Sequence, residues 1–408
     1  MTAHPHSISK KTCSACGTSP VNHRATYIMT VVDDTMTSMM HFLLGWVRVP
    51  REGRIANMVT AGFVGTFRLF GLAHFDTDIE KAISGRSKLI WQEATRRGIP
   101  VEQIVMFGKH LEQYRATIGG KRIYFQSIPI PYWLPQKGYD WMDDKFALSK
   151  RLNAAHINAP KAATVSSWRK TRQEFARMQK PVIIKPRSGS RGRHTTTNIH
   201  DETALRTAYD LAKEIAPTLV IEEHLYGSVY RATVIDNVLV GFFRADPPQI
   251  TGDGIHTIEE LIDLANTAKN ADPAKKERLG DITITEDTTS FIARYGHTIE
   301  SILLRGTTLD LSAKTGRHYG GYTREMLPEI HPKIREIFQK AGEIIQASIV
   351  GFDIIMEDPA KDPDTQTWGI IEANSLPFID LHYYALEGTP IDLAKNVWDL
   401  WEEKLKKK

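Results

Sequence analysis

From Asp143 onward the chain alternates between amphipathic stretches of helical period and short apolar runs. The first pattern predicts helices over Lys145–Ala155, Thr171–Met178, Asp201–Ile215, Ile258–Ala265, Pro332–Ser348 and Ile391–Lys406. The second predicts strands over Ala163–Ser166, Pro181–Lys185 and Thr218–Glu223. Tyr230–Ile235 and Val238–Arg244 flank Asp236-Asn237, a turn pair that predicts a hairpin. Gly351–Met356 and Gly369–Asn374 predict another, closed by a polar turn rich in Asp and Pro. Residues 270–278 are charged and read as an exposed, loop-like insertion. Upstream, a helix over Ile83–Arg97 and strands over Ile104–Phe107 and Lys121–Ile128 predict a small α/β unit. Pro129, Pro131 and Pro135 mark its boundary, and residues 1–55 look irregular.

A chain of 408 residues is long for one core, so two or three domains are expected. Hydrophobic residues at 41% and charged residues at 25% describe an ordinary globular protein. A net charge of +4 is too small a bias to argue for nucleic acid, although it suits anionic small ligands. Two cysteines argue against a disulfide framework. No secretory leader is visible, and a cytoplasmic setting is expected. The most apolar early stretch, Met58–Phe75, is broken by Arg68 and reads as a buried or interfacial helix, so no membrane partner is expected.

The second hairpin carries chemistry. Asp353 lies in its first strand, and Glu372 and Asn374 end its second. Pairing would gather hard oxygen donors, which suits Mg²⁺: one or two carboxylates, with water and phosphate oxygens completing the shell at roughly 2.0–2.1 Å. Mn²⁺ is a possible substitute. The strand Pro181–Lys185 runs into a loop holding Ser188, Gly189, Gly192 and three arginines. Glycines let backbone N–H groups approach phosphate, and a lysine at the strand end supplies a point charge. The spacing fits neither a P-loop nor a complete dinucleotide fingerprint. Glu222, Glu223 and Leu225 form a segment that could present backbone groups to an adenine edge. Near the N-terminus, Cys13-Ser14-Ala15-Cys16 is a lone CxxC with His4, His6 and His23 nearby. A structural zinc site normally needs four ligands, so a Cys2His2 site is one reading and a leader with reduced thiols the other.

These parts resemble the ATP-grasp ligases, and within them the ATP-grasp domain of the cyanophycin synthetases. Lys185-Pro186 through Gly192-Arg193 matches the family's phosphate loop. Glu222 through Gly227 and Tyr230-Arg231 match its hinge and Tyr-Arg pair. Gly252-Asp253-Gly254 through Ile262 matches a stretch specific to that branch. Asp353, Glu372 and Asn374 fall on the metal ligands, and Glu387-Gly388-Thr389-Pro390 matches the C-terminal end. There are departures. Val229 stands where the branch has an aspartate near the ribose, leaving Glu222 or Glu223 for that contact. Arg191 replaces the loop histidine, and Ser312 and Gly316 replace an arginine and an asparagine. Lys314, Arg317 and His318 lie close enough in sequence to restore positive charge.

The resemblance implies an α/β (α+β) ATP-grasp fold: two lobes clamping ATP, behind the small N-terminal unit. Residues 141–408 would form the ATP-grasp domain, with a lid lobe at about 160–225. It also implies ATP-dependent joining of a small-molecule carboxylate to an amine, amino acids or short peptides, through an acyl phosphate. Lys185 and either Lys145 or Lys150 would hold phosphates; Ser188, Gly189, Gly192 and Arg193 would line the lid. Arg231, Arg191 and Lys314 are candidates for steadying the reacting groups. A homo-oligomer is a possible state. Two other readings stand beside this one: a ligase of the glutathione-synthetase or protein-modifying type, and an ATP-binding protein that has lost ligation.

Overall fold

The computed structural model describes residues 13, 16, 21–31, 54–187, 193–293, 295–312 and 314–406. His4, His6, Ser188, Gly189, Arg191 and Gly192 lie outside the described residues. A short helix α1 spans residues 23–31. The next unit comprises α2 (Arg54–Leu69), β1 (Ala73–Asp76), α3 (Gly85–Arg96), β2 (Val101–Met106), β3 (Lys109–Ile118) and β4 (Lys121–Gln126). Its four strands pair antiparallel in chain order. Ser84 caps α3 by accepting the Ser87 N–H at 3.2 Å. Strand β3 is longer than anything expected there: only Tyr114, Ala116 and Ile118 are buried, so its apolar alternation covers one half. The helix expected within Met58–Phe75 is displaced upstream; Gly71 and β1 occupy the rest.

The lobe that follows contains α4 (Lys145–Ala154), β5 (Ala162–Val165), α5 (Trp168–Arg177), β6 (Val182–Pro186), β7 (Thr196–Ile199), α6 (Glu202–Lys213) and β8 (Leu219–Glu223). The sheet order β5-β8-β6-β7 is antiparallel throughout. Val165, Val182, Ile184, Ile199, Leu205 and Leu219 form its separate core under α5 and α6.

The central sheet begins with the hairpin β9 (Ser228–Ile235) and β10 (Val238–Ala245). An excursion of β11 (Gln249–Thr251), α7 (Ile258–Ala271), α8 (Pro273–Arg278), α9 (Glu286–Ala293) and β12 (Thr308–Asp310) follows, with its own small core around Ile258, Ile262 and Leu311. Residues 270–278, expected to be a loop, are helical here. Asp272 ends α7 and accepts the Ala274 N–H at 3.0 Å, and Pro273 sets the first turn of α8. The chain returns through β13 (Thr323–Glu325), α10 (Pro332–Ile345), β14 (Ile349–Met356), β15 (Trp368–Asn374), α11 (Asp380–Tyr383) and α12 (Leu393–Lys406). The sheet order is β13-β10-β9-β14-β15.

One continuous core joins this sheet to the N-terminal unit. Trp398 and Trp401 of α12 donate their indole N–H groups to the Ile90 and Pro129 carbonyls, both at 2.8 Å. Burying two tryptophans with their donors satisfied is a strong weld between segments far apart in sequence. Among the described residues, no helix is long and apolar enough to cross a membrane.

Candidate active site

Pairing register builds the site. In the central sheet Arg231 lies opposite Asp353, which lies opposite Glu372. Two residues along, Thr233, Gly351 and Asn374 are opposite one another. Side chains alternate across a strand, so Arg231, Asp353, Glu372, Thr233 and Asn374 share one face. Tyr230, Ala232, Phe352 and Ile354 take the other face and are buried. A register shift between Asp353 and Ile354 marks a bulge in β15 beside the acidic pair. Bulges re-aim side chains in this way near sites.

The corner before α4 brings the lobes together with three consecutive residues. Asp143 accepts from Ser375 N and Oγ at 3.3 and 3.1 Å, anchoring the end of β15. Asp144 caps α4 and accepts from Arg187 Nε and Nη2 at 3.0 and 2.6 Å, tying down the strand end beyond Lys185. Lys145 turns inward, buried, with Nζ 3.8 Å from Glu372 Oε1. Lys150, the alternative left open by spacing, is exposed. From the β5-β8-β6-β7 sheet, Lys185 Nζ reaches Glu222 Oε1 at 2.5 Å, and both side chains are buried.

Burial pushes the Lys145 ammonium below its ordinary range, against the opposing pull of Glu372. Burial likewise raises the Glu372 carboxyl, against the pull of Lys145. Both shifts favour neutral forms, so the protein alone supplies too little counter-charge for this desolvated pair. A phosphate facing Lys145 and a cation facing Glu372 would each restore the balance. Burial opposes the charge on Arg231, but the Asp353 carboxylate outweighs it and raises the guanidinium pKa. Arg231 grips that carboxylate through Nε at 2.5 Å and Nη2 at 2.8 Å. Arg231 Nη1 and Asn374 Nδ2 are buried without a hydrogen-bond partner among the described residues. The donor set of two neighbouring carboxylates and an amide fits a hard divalent cation.

Other expected residues fall at varying distances from this cluster. Glu222 is occupied by Lys185. Glu223 accepts the Lys161 N–H at 3.2 Å. Leu225 packs against Gly369 of β15, where an added Cβ would lie 2.9 Å from its Cδ1. Gly227 has φ +132°, and an added Cβ would sit 2.4 Å from the Met356 carbonyl oxygen, so this position tolerates no side chain. Arg193 is half-buried at the exit of the loop. Lys314 lies in the α7–α9 lobe, with its ammonium 3.1 Å from Asp287, which also accepts from Ser312. Cys13 and Cys16 meet His23 and, unexpectedly, His194.

The structure adds a buried chain that spacing did not reveal. Glu325 accepts from His382 Nδ1 at 2.6 Å, and His382 Nε2 meets Thr233 Oγ1 at 2.8 Å. Gly241 makes room for the imidazole: a Cβ there would lie 2.6 Å from the ring. The chain ends on the functional face beside Gly351. Its members come from three separate segments, and no short motif links them.

The β5-β8-β6-β7 sheet of one lobe and the central sheet of the other define a mixed α/β, two-lobed ATP-grasp-type fold. The structure resembles the bifunctional glutathione synthetase from Pasteurella multocida with a TM-score of 0.54, at 21% identity over 78% of this chain and 44% of that one. In sequence, the chain is 30% identical to the cyanophycin synthetase of Synechocystis sp. over 337 residues, which is 80% of this chain and 37% of that protein. It is 27% identical over 267 residues to the glutathione biosynthesis bifunctional protein of Mannheimia succiniciproducens, covering 63% of this chain and 35% of that protein. No family model matches. The chain belongs to the ATP-grasp ligase superfamily. It spans about a third of the length of these curated relatives.

Proposed function

We propose that the chain is an ATP-dependent carboxylate–amine ligase acting on an amino acid or short peptide. The observation that carries this reading is the meeting of Lys145 and Lys185 with the Arg231–Asp353–Glu372 row between the two lobes. A substrate carboxylate oxygen attacks the γ-phosphorus of ATP, and the bond to the β–γ bridging oxygen breaks to release ADP. The amine nitrogen then attacks the acyl carbon, phosphate leaves, and the nitrogen loses a proton. Bringing two anions together is the physical obstacle. Asp353, Glu372 and Asn374 would hold Mg²⁺, or Mn²⁺, which when bound neutralises charge between phosphate groups. Lys145 and Lys185 hold phosphate oxygens. Arg231 orients Asp353 and offers its remaining Nη1 to the reacting oxygens, as suits a planar multi-donor cation. The acyl phosphate must be kept from water until the amine attacks.

Likeness to both cyanophycin synthetase and glutathione-making proteins supports a peptide-like amide product. One observation favours a second reading, ATP binding without ligation: Arg231 engages both oxygens of Asp353. A coupled ADP-release screen over amino acids and short peptides, with mass spectrometry of products, separates the two. Ligation predicts ADP release that depends on a carboxylate and an amine and falls about 100- to 1,000-fold in Lys185→Ala and in Glu372→Ala. Wild-type turnover in either variant sinks the site assignment. Tight ATP binding with no ADP release under any pair supports the second reading.

A further inference from the structure

We propose that Cys13, Cys16, His23 and His194 hold a structural zinc ion that staples the two cysteines and α1 to the lid lobe, at the root of the glycine-rich loop. Their four donor atoms lie within 4.8 Å of one another. Cys16 Sγ is 3.2 Å from His23 Nε2 and 3.4 Å from His194 Nε2. Cys13 Sγ is 3.7 Å from His194 Nε2. Zinc with Zn–S of about 2.3 Å and Zn–N of about 2.0 Å makes a tetrahedron with edges of roughly 3.3–3.8 Å. The three cysteine–histidine contacts, at 3.2–3.7 Å, are close to that length, and closing the remaining pairs from within 4.8 Å completes the tetrahedron.

Local structure aims each donor. The Cys16 N–H donates to the Cys13 carbonyl at 3.1 Å, closing the turn that places both sulfurs together. Asn22 Oδ1 accepts the Ala25 N–H at 3.1 Å and caps α1, which begins at His23. His194 is fully buried and sits at φ +50°, a left-handed conformation that a non-glycine residue seldom adopts.

The second nitrogens settle the tautomers. His194 Nδ1 donates to the Leu211 carbonyl at 2.7 Å. His23 Nδ1 lies 3.0 Å from Glu214 Oε2. Each Nδ1 therefore carries the proton, and each Nε2 turns its lone pair toward the sulfurs. An imidazole backed by a carbonyl or carboxylate is how proteins orient metal-ligating histidines. Two thiolates and two imidazoles select zinc over the hard cations suited to Asp353 and Glu372. All four positions are filled by protein, which marks a structural rather than a catalytic site.

The position gives the staple its purpose. Leu211 lies in α6 and Glu214 caps it, and α6 packs on β6, the strand that ends with Lys185 and Pro186. His194 follows directly on the loop that the ligase reading uses as lid. The metal would fix the C-terminal root of that loop against α1 and α6.

The test is metal analysis of the full-length chain, purified without a histidine tag and supplied with Zn²⁺. One zinc per chain is expected. Exchange with Co²⁺ should give tetrahedral d–d bands together with a thiolate-to-cobalt charge-transfer band. Glu214→Gln, at a half-exposed position, should keep the fold and weaken Zn²⁺ binding about 10- to 100-fold. Cys13→Ser should lose about half of the charge-transfer band, and joint replacement of His4 and His6 by alanine should change nothing. The proposal is overturned by either of two results: no zinc bound by the reduced chain at saturating Zn²⁺, or an unchanged cobalt spectrum in Cys13→Ser.

Discussion

On one face of the central sheet Tyr230, Ala232, Phe352 and Ile354 are packed beneath α10; on the other, one residue along each strand, lie Arg231, Thr233, Asp353 and Glu372. The backbone is common to both. The apolar face packs rings at tilted angles, with Phe352 5.5 Å from Phe338 and Phe242 5.4 Å from Tyr230. It supplies stability. The polar face holds the Glu372 carboxyl, which burial pushes up, and it faces the buried Lys145 ammonium, which burial pushes down, so it draws on that stability. A one-residue slip would exchange the two faces, so the apolar packing also enforces the geometry of the site.

Three variants test this division, beginning with the largest effect. Phe352→Ala should destabilise the chain by about 3–5 kcal/mol, read by denaturant unfolding, while the activity of the folded fraction persists. An unchanged midpoint would mean the apolar face is not the support claimed here. The double variant Lys145→Met with Glu372→Gln should do the reverse. Replacing a buried ion pair with neutral groups of similar shape is often stabilising by about 1–4 kcal/mol, so Tm should hold or rise while ADP release disappears. A lower Tm would show that the pair is structural. The smallest effect is in pH. Burial lowers the Lys145 pKa, so its positive charge is lost at lower pH than that of an ordinary lysine. Apparent KM for ATP should therefore rise with pH from below the usual lysine range, and Lys145→Arg should remove that early rise. A profile identical in the two proteins would exclude Lys145 from phosphate contact.

Much of this sheet was legible beforehand. The Asp236-Asn237 turn and the flanking apolar runs marked the β9–β10 hairpin, and Gly351–Met356 with Gly369–Asn374 marked β14–β15. Strand β3 was hidden because most of its residues are polar, and β7 because Thr196–Ile199 is too short for a period to show. Helix α8 was hidden because its lysines and arginine read as a loop until Asp272 capped it. The buried Glu325–His382–Thr233 chain left no trace in spacing, since its members are brought together by α11 packing over β10.

The sequence by itself determined the local periods, the turns and the acids of the closing hairpin, because these depend on neighbours along the chain. It also supplied the CxxC knuckle and His23. Only the tertiary structure decided which lysine faces Glu372, that Arg231 grips Asp353, and that His194 joins Cys13 across a separation of 181 positions. Such contacts depend on the register between strands and on how lobes pack, and burial of apolar surface sets both without leaving any periodic mark on the polar residues it brings together.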